Sequence, residues 1–150
     1  MATYTDTYTY NLKVGEYFNK TQYLVLNLSN GKTTTSIGTL SNTGLQLVAF
    51  NAGYILRGTP TKTGTFTGSA TTTWSNNKGT QSALGNIIVN VNYNSPKITS
   101  TILKYRYKCK KYEDTLVATG GGITWSIVKG QLPPGLTLDE NTGIISGLAE

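Results

Sequence analysis

At 150 residues, with 37% apolar residues and 17 glycines, the chain is long enough for one globular domain or for two small sandwiches with thin cores. Charged residues make up only 13% and the formal net charge is +6; there is no histidine, which removes the commonest general base, the Ser-His and Cys-His nucleophile pairs and the commonest metal ligand. A lone cysteine, Cys109, excludes an internal disulfide framework, while 26 threonines and ten tyrosines against few helix formers predict an all-β fold.

In chain order, Met1-Ala2-Thr3-Tyr4-Thr5-Asp6 shows neither the basic segment nor the apolar run of a signal peptide, and no later stretch has the length of a membrane span. The expectation is a chain made in the cytoplasm, with no membrane partner. Tyr4, Tyr8, Tyr10 and Leu12 then alternate with Thr3, Thr5, Thr7 and Thr9, the period of a half-exposed strand. Leu24, Leu26 and Leu28 predict one face of a second strand. A long strand is expected to end near Trp74, with Phe66, Ala70 and Trp74 facing inward, followed by a turn at Asn76-Asn77-Lys78-Gly79 and a last strand over residues 86–93. Asn94-Ser95-Pro96 is the expected boundary between two domains, 1–95 and 96–150, because Pro96 cannot donate to a ladder and holds its predecessor extended.

Beyond the boundary, Lys104, Arg106, Lys108 and Lys110 alternate with Tyr105, Tyr107 and Cys109, and Lys111 extends the run. A strand here would carry a basic stripe on one side and Tyr and Cys packed inward on the other. Gly120-Gly121-Gly122 reads as a turn, lacking the strand-to-helix setting of a phosphate loop. Gly130-Gln131-Leu132-Pro133-Pro134-Gly135-Leu136-Thr137-Leu138 and Asp139-Glu140-Asn141-Thr142-Gly143-Ile144-Ile145-Ser146-Gly147 read as turn, strand, turn, strand.

The run from Leu116-Val117-Ala118-Thr119-Gly120-Gly121 through Ile123-Thr124-Trp125-Ser126 to Ser146-Gly147 closely resembles the Ig-like He_PIG repeat over residues 116–147. That resemblance implies an Ig-like or cadherin-like β-sandwich of the kind found in bacterial surface proteins and phage structural proteins, acting as spacer or adhesion module. Gly38-Thr39-Leu40-Ser41-Asn42-Thr43-Gly44-Leu45-Gln46-Leu47 echoes the stretch from Gly130 to Leu138. Gly53-Tyr54-Ile55-Leu56-Arg57-Gly58 likewise echoes the stretch from Gly143 to Gly147, so a weaker copy is expected over about residues 38–75. The expected fold is therefore tandem Ig-like antiparallel sandwiches, the second incomplete at its C-terminus. Further chain past Glu150, strands from another subunit, or a shorter fold would each complete it.

No catalytic residue, metal ligand or cofactor is expected. Glu113-Asp114 and Asp139-Glu140 are adjacent pairs whose side chains point to opposite faces of extended chain, so neither forms an acid-base dyad. Asp139-Glu140-Asn141 offers oxygens for calcium, but the spacing is that of a tight turn. Trp74 and Trp125 are read as core residues in preference to sugar-stacking platforms. Cys109 is read as a small buried residue.

The basic stripe, Lys104, Arg106, Lys108, Lys110 and Lys111, is the one candidate binding surface, for an acidic partner or a capsid face. The competing reading is charge that protects an edge strand. Nucleic acid is not favoured, because six cations precede residue 96 and seven follow it. Together these features predict a non-enzymatic virion protein, a capsid decoration, head fibre or tail-associated module. Its partners would be other virion proteins, copies of itself or host-surface glycans. The alternatives are a bacterial cell-surface adhesin or carbohydrate-binding repeat, and an accessory domain of a polysaccharide hydrolase.

Overall fold

The computed structural model describes residues 3–25, 28, 30–100, 102–104, 107 and 109–150. It divides into two compact units, Met1–Asn92 and Tyr93–Glu150. Among the described residues all regular structure is strand, apart from a 3-10 turn at Gly38–Leu40.

The first unit holds β1 (Thr3–Lys13), β2 (Phe18–Tyr23), β3 (Lys32–Ser36), β4 (Leu45–Phe50), β5 (Gly53–Gly58), β6 (Gly64–Asn76) and β7 (Gly79–Asn92). They form two sheets, in the orders β1-β7-β6-β3 and β2-β5-β4. The hairpin β6-β7 anchors the larger sheet. Its two-residue loop at Asn77-Lys78 is held by the Asn76 Oδ1, which accepts from the Lys78 N–H at 2.8 Å, and Gly79 follows at φ 100°.

Alternation does the rest. Ile87, Val89 and Val91 of β7 point one way and meet Leu45, Leu47, Tyr54 and Leu56 from the smaller sheet, with Leu12, Leu40 and Ala70 closing the core. Each such aliphatic side chain contributes roughly 1.5–3 kcal/mol by leaving water. Tyr8, Tyr10 and Phe66 pack against this core half-buried, and the Tyr10 and Tyr54 hydroxyls meet at 2.8 Å, so the buried Tyr54 phenol has a polar partner.

Three expectations change here. β1 pairs with β7 in parallel, Thr3 against Ser82 through Lys13 against Asn92, so the sheet is mixed; the intervening strands serve as the crossover that a parallel pair needs. The leucine strand is not formed: β2 stops at Tyr23, opposite Gly53 where β5 begins, and the next two amides, Leu24 and Val25, both turn onto the Ala52 carbonyl. Leu24 and Leu28 are half-buried outside any strand, and Leu26 lies outside the described residues. The last strand starts at Gly79, seven residues before the expected 86, because the tight turn lets pairing begin at once.

The second unit holds β8 (Lys97–Ile98), β9 (Lys111–Thr115), β10 (Ala118–Thr119), β11 (Leu136–Leu138) and β12 (Ile144–Leu148), in sheets ordered β10-β8 and β11-β12-β9. The three-stranded sheet repeats the order of β4-β5-β2 and, around the end of the middle strand, its register. Leu45 faces Gly58 and Leu136 faces Gly147; Leu47 faces Leu56 and Leu138 faces Ile145; Phe18 faces Gly58 and Tyr112 faces Gly147. Behind the hairpin, the Thr61 N–H donates to the Thr43 carbonyl, and the Glu150 N–H donates to the Pro134 carbonyl.

The shared feature is a close backbone crossing at the end of the middle strand. Gly58 has φ 128° and Gly147 has φ 146°. A Cβ on Gly58 would run into the Gly44 carbonyl oxygen and lie 3.1 Å from the Leu45 Cα, and one on Gly147 would run into the Gly135 carbonyl oxygen and lie 3.1 Å from the Leu136 Cα. Only glycine fits either place. The fold is all-β, with an Ig-like sheet in each unit. The second unit buries fewer large side chains, Ile145 foremost.

Candidate functional site

Of the basic segment's described residues, Lys104, Tyr107, Cys109 and Lys110 lie outside any strand. Lys110 turns back to the Tyr107 carbonyl, Cys109 sits at φ 57° with its N–H on the Ala149 carbonyl, and pairing begins only at Lys111, opposite Leu148. Past Leu148 the ladder gives way to two single bonds, the Ala149 N–H donating to the Lys110 carbonyl and the Ala149 carbonyl accepting from Cys109, whose positive φ turns the chain out of the extended path. Tyr107 is 74% exposed and Cys109 is exposed, so neither packs inward as the alternation predicts. Tyr105, Arg106 and Lys108 lie outside the described residues.

Of the described cations, Lys104 is tied down. Its N–H donates to Asp114 Oδ2 at 2.8 Å, its ammonium lies 3.5 Å from Oδ1 of the same carboxylate, and the Tyr112 hydroxyl donates to its carbonyl at 3.2 Å. These contacts, the Lys104 backbone N–H first, hold the Asp114 carboxyl below its usual range. The pair is exposed on the lysine side and half-buried on the aspartate side, and with the backbone bonds it pins Lys104 beside β9. Lys110 and Lys111 remain exposed.

Asp139 caps its own turn. Its Oδ1 accepts the Asn141 and Thr142 N–H groups at 2.9 Å each, and its carbonyl accepts from Gly143. Those backbone donors, Thr142 first, hold its pKa below the ordinary carboxylate value. Trp125, whose backbone N–H donates to the Glu140 carbonyl, lays its ring over Gly143, where a Cβ would stand 2.7 Å from Nε1. This tryptophan is a lid on the turn, half-buried.

Trp74 behaves differently, and the sequence reading did not anticipate it. Its ring stacks with Tyr4 at 6.4 Å between centroids and 17° between planes, although Tyr4 is 60% exposed. The registers explain the meeting: Tyr4 stands opposite Ala83, and Trp74 opposite Gln81, on either side of β7. Both rings lie on the face that carries the core further down the sheet. The smaller sheet stops short of them, since its Asn51-Ala52 turn is held by the Thr33 hydroxyl, which also meets the Thr72 hydroxyl at 2.7 Å. Trp74 is two residues past that point.

Residues 87–150 match the He_PIG family, described as "Putative Ig domain". The C-terminal part of the chain is thus similar in sequence to an Ig-like repeat. The match begins within β7 and runs through the second unit. No curated protein matches the chain in sequence.

Among solved structures it overlaps the titin domains Z1Z2 in complex with telethonin at 11% identity and TM-score 0.45, covering 93% of this chain and 76% of that one. It overlaps mouse cadherin-23 EC22-24 at 15% identity and TM-score 0.39, covering 100% and 52%. An endo-fucoidan hydrolase of glycoside hydrolase family 107 overlaps at 16% identity and TM-score 0.40, where the chain spans 24% of the larger protein. The Ig-like assignment itself rests on sheet order and register.

Proposed function

We propose that the chain is a non-enzymatic structural and adhesion module of a bacteriophage particle, a capsid decoration, head fibre or tail-associated protein. One end would be fixed to the assembly while Ig-like sheets present a surface outward. The repeated three-stranded sheet is the observation that carries this reading: both units spend their apolar residues on a rigid scaffold. Two of its carboxylates serve a turn and a pin, Asp139 capping its own loop and Asp114 holding Lys104.

Two further features suit a virion. The exterior is rich in threonine and low in charge, which favours solubility without strong nonspecific attraction. With one cysteine, exposed, the fold stands on packing alone, as suits a protein that folds in a reducing compartment before assembly. Lys110 and Lys111, with Arg106 and Lys108, would meet an acidic face of the particle, and repeated copies would make a small contact strong.

Gradient-purified particles test the reading. Peptides of this chain should co-purify with them at structural copy number, and antibody raised against the chain should decorate their surface. Label confined to the envelope of uninfected bacteria would replace this reading with that of a cell-surface adhesin.

A further inference from the structure

We infer that Tyr4 and Trp74 form a stacking shelf for a hexopyranose chain, a binding site at the end of the first unit's larger sheet. The inference rests on the adhesive half of the function proposed above and names the surface that would do the adhering. Near-parallel rings, tilted by 17° with centres 6.4 Å apart, are wider apart than face-on contact allows, which fits an offset stack that presents two neighbouring apolar faces. Tyr4 is 60% exposed and Trp74 half-buried, so part of this surface faces water. Both rings stand beyond the Asn51-Ala52 turn where the covering sheet ends, and neither belongs to the buried core.

The chemistry selects a sugar over other flat ligands. A pyranose ring shows a face of C–H bonds, weakly positive, to the negative face of an aromatic ring, while its hydroxyls point sideways to polar groups. Asp6 stands two residues along the same face of β1, exposed, and close enough to the Tyr8 phenol that its charge helps to raise that pKa. A carboxylate there accepts sugar hydroxyls. It also repels a phosphate backbone, whereas aromatic shelves for single-stranded nucleic acid lie in positively charged grooves.

The purified full-length chain is run through gels containing dextran, galactomannan or xyloglucan, and passed over immobilised bacterial O-polysaccharide, with single-stranded DNA as the competing probe. Retardation by at least one glycan is expected. Tyr4→Ala should weaken it about tenfold, the factor that corresponds to roughly 1.4 kcal/mol for one lost ring contact. Trp74→Ala should abolish it, and Trp125→Phe should leave it unchanged. Tyr4 is largely exposed, so its variant keeps the fold, which circular dichroism verifies. Failure to bind any of the four glycans, equal binding by Tyr4→Ala, or preference for DNA would overturn the inference. None of those outcomes touches the particle assignment, which the virion experiment decides separately.

Discussion

The backbone crossing at Gly58 gives the sharpest test of the scaffold. Replacing Gly58 with Ala places a methyl group against the Gly44 carbonyl and 3.1 Å from the Leu45 Cα, at φ 128° where side chains are strained. Backbone strain contributes about 1–3 kcal/mol, and forcing atoms into a filled space adds about 1–3 kcal/mol. Taking roughly 3 kcal/mol in all, a unit of this size should lose about 12–24 °C in Tm. Gly79 serves as the control, because it also has positive φ, 100°, but a Cβ there meets nothing within 4 Å. Urea unfolding in a Trp125→Phe background, where Trp74 alone reports on the first unit, should show Gly58→Ala at least about 1 kcal/mol less stable than Gly79→Ala, the lower bound of the steric cost. Equal stability in the two variants would refute the close crossing. Gly147→Ala, read by Trp125 in a Trp74→Phe background, should repeat the effect in the second unit.

Other expectations follow from single side chains. Leu56→Ala empties a fully buried position and should cost about 2–5 kcal/mol in the urea transition of the first unit. Burial raises the pKa of Tyr8, Tyr10 and Tyr54. The folded unit therefore holds these protons more tightly than the unfolded chain does. Its stability is full below the ordinary phenol value of about 10 and falls as the pH rises beyond it; urea midpoints at about pH 8 and about pH 11 should differ in that direction. Asp114 and Asp139 shift the other way, so their contribution is present above the ordinary carboxylate value of about 4 and is lost as the pH falls through their lowered pKa values, which NMR titration of each carboxyl follows. Asp114→Ala should free residues 102–104, seen as faster amide exchange at Lys104, whose N–H loses its acceptor.

Local pattern exposed much of this fold and little of the stacking of Tyr4 on Trp74. The Tyr and Thr alternation of β1 and the Asn-Asn-Lys-Gly turn of the long hairpin are local chemistry, and each appears where its residues place it. The Gly-Leu-x-Leu echo between Gly44 and Gly135 marks the repeated sheet because a glycine at a crossing and leucines at alternate positions have no other economical arrangement. Pairing partners are not local. Nothing in Thr3–Lys13 says that its neighbour is β7 running parallel. The lysines and tyrosines after Leu103 have the period of a strand, but period alone does not keep a backbone extended, and the positive φ of Cys109 breaks the ladder just before Lys111.

Trp74 shows the same limit. Its place in line with Phe66 and Ala70 reads as core, and its side chain does share their face, but β6 outruns the sheet that would cover it. Its neighbour Tyr4 is 70 positions away and meets it only through the registers of two different strand pairs. The basic stripe was visible as composition, while the carboxylate that ties down its first member, Asp114, read as half of an adjacent acidic pair.

The central claim is that one three-stranded Ig-like sheet is built twice along this chain, to hold and present a surface. Cross-strand NMR contacts in the full-length protein measure it directly. The account predicts Leu136–Leu138 against Ile144–Leu148 and Ile144–Leu148 against Lys111–Thr115, in the same register as Leu45–Phe50 against Gly53–Gly58 and Gly53–Gly58 against Phe18–Tyr23. A different strand order in the second unit, or a register displaced by one residue at Gly147, would contradict it.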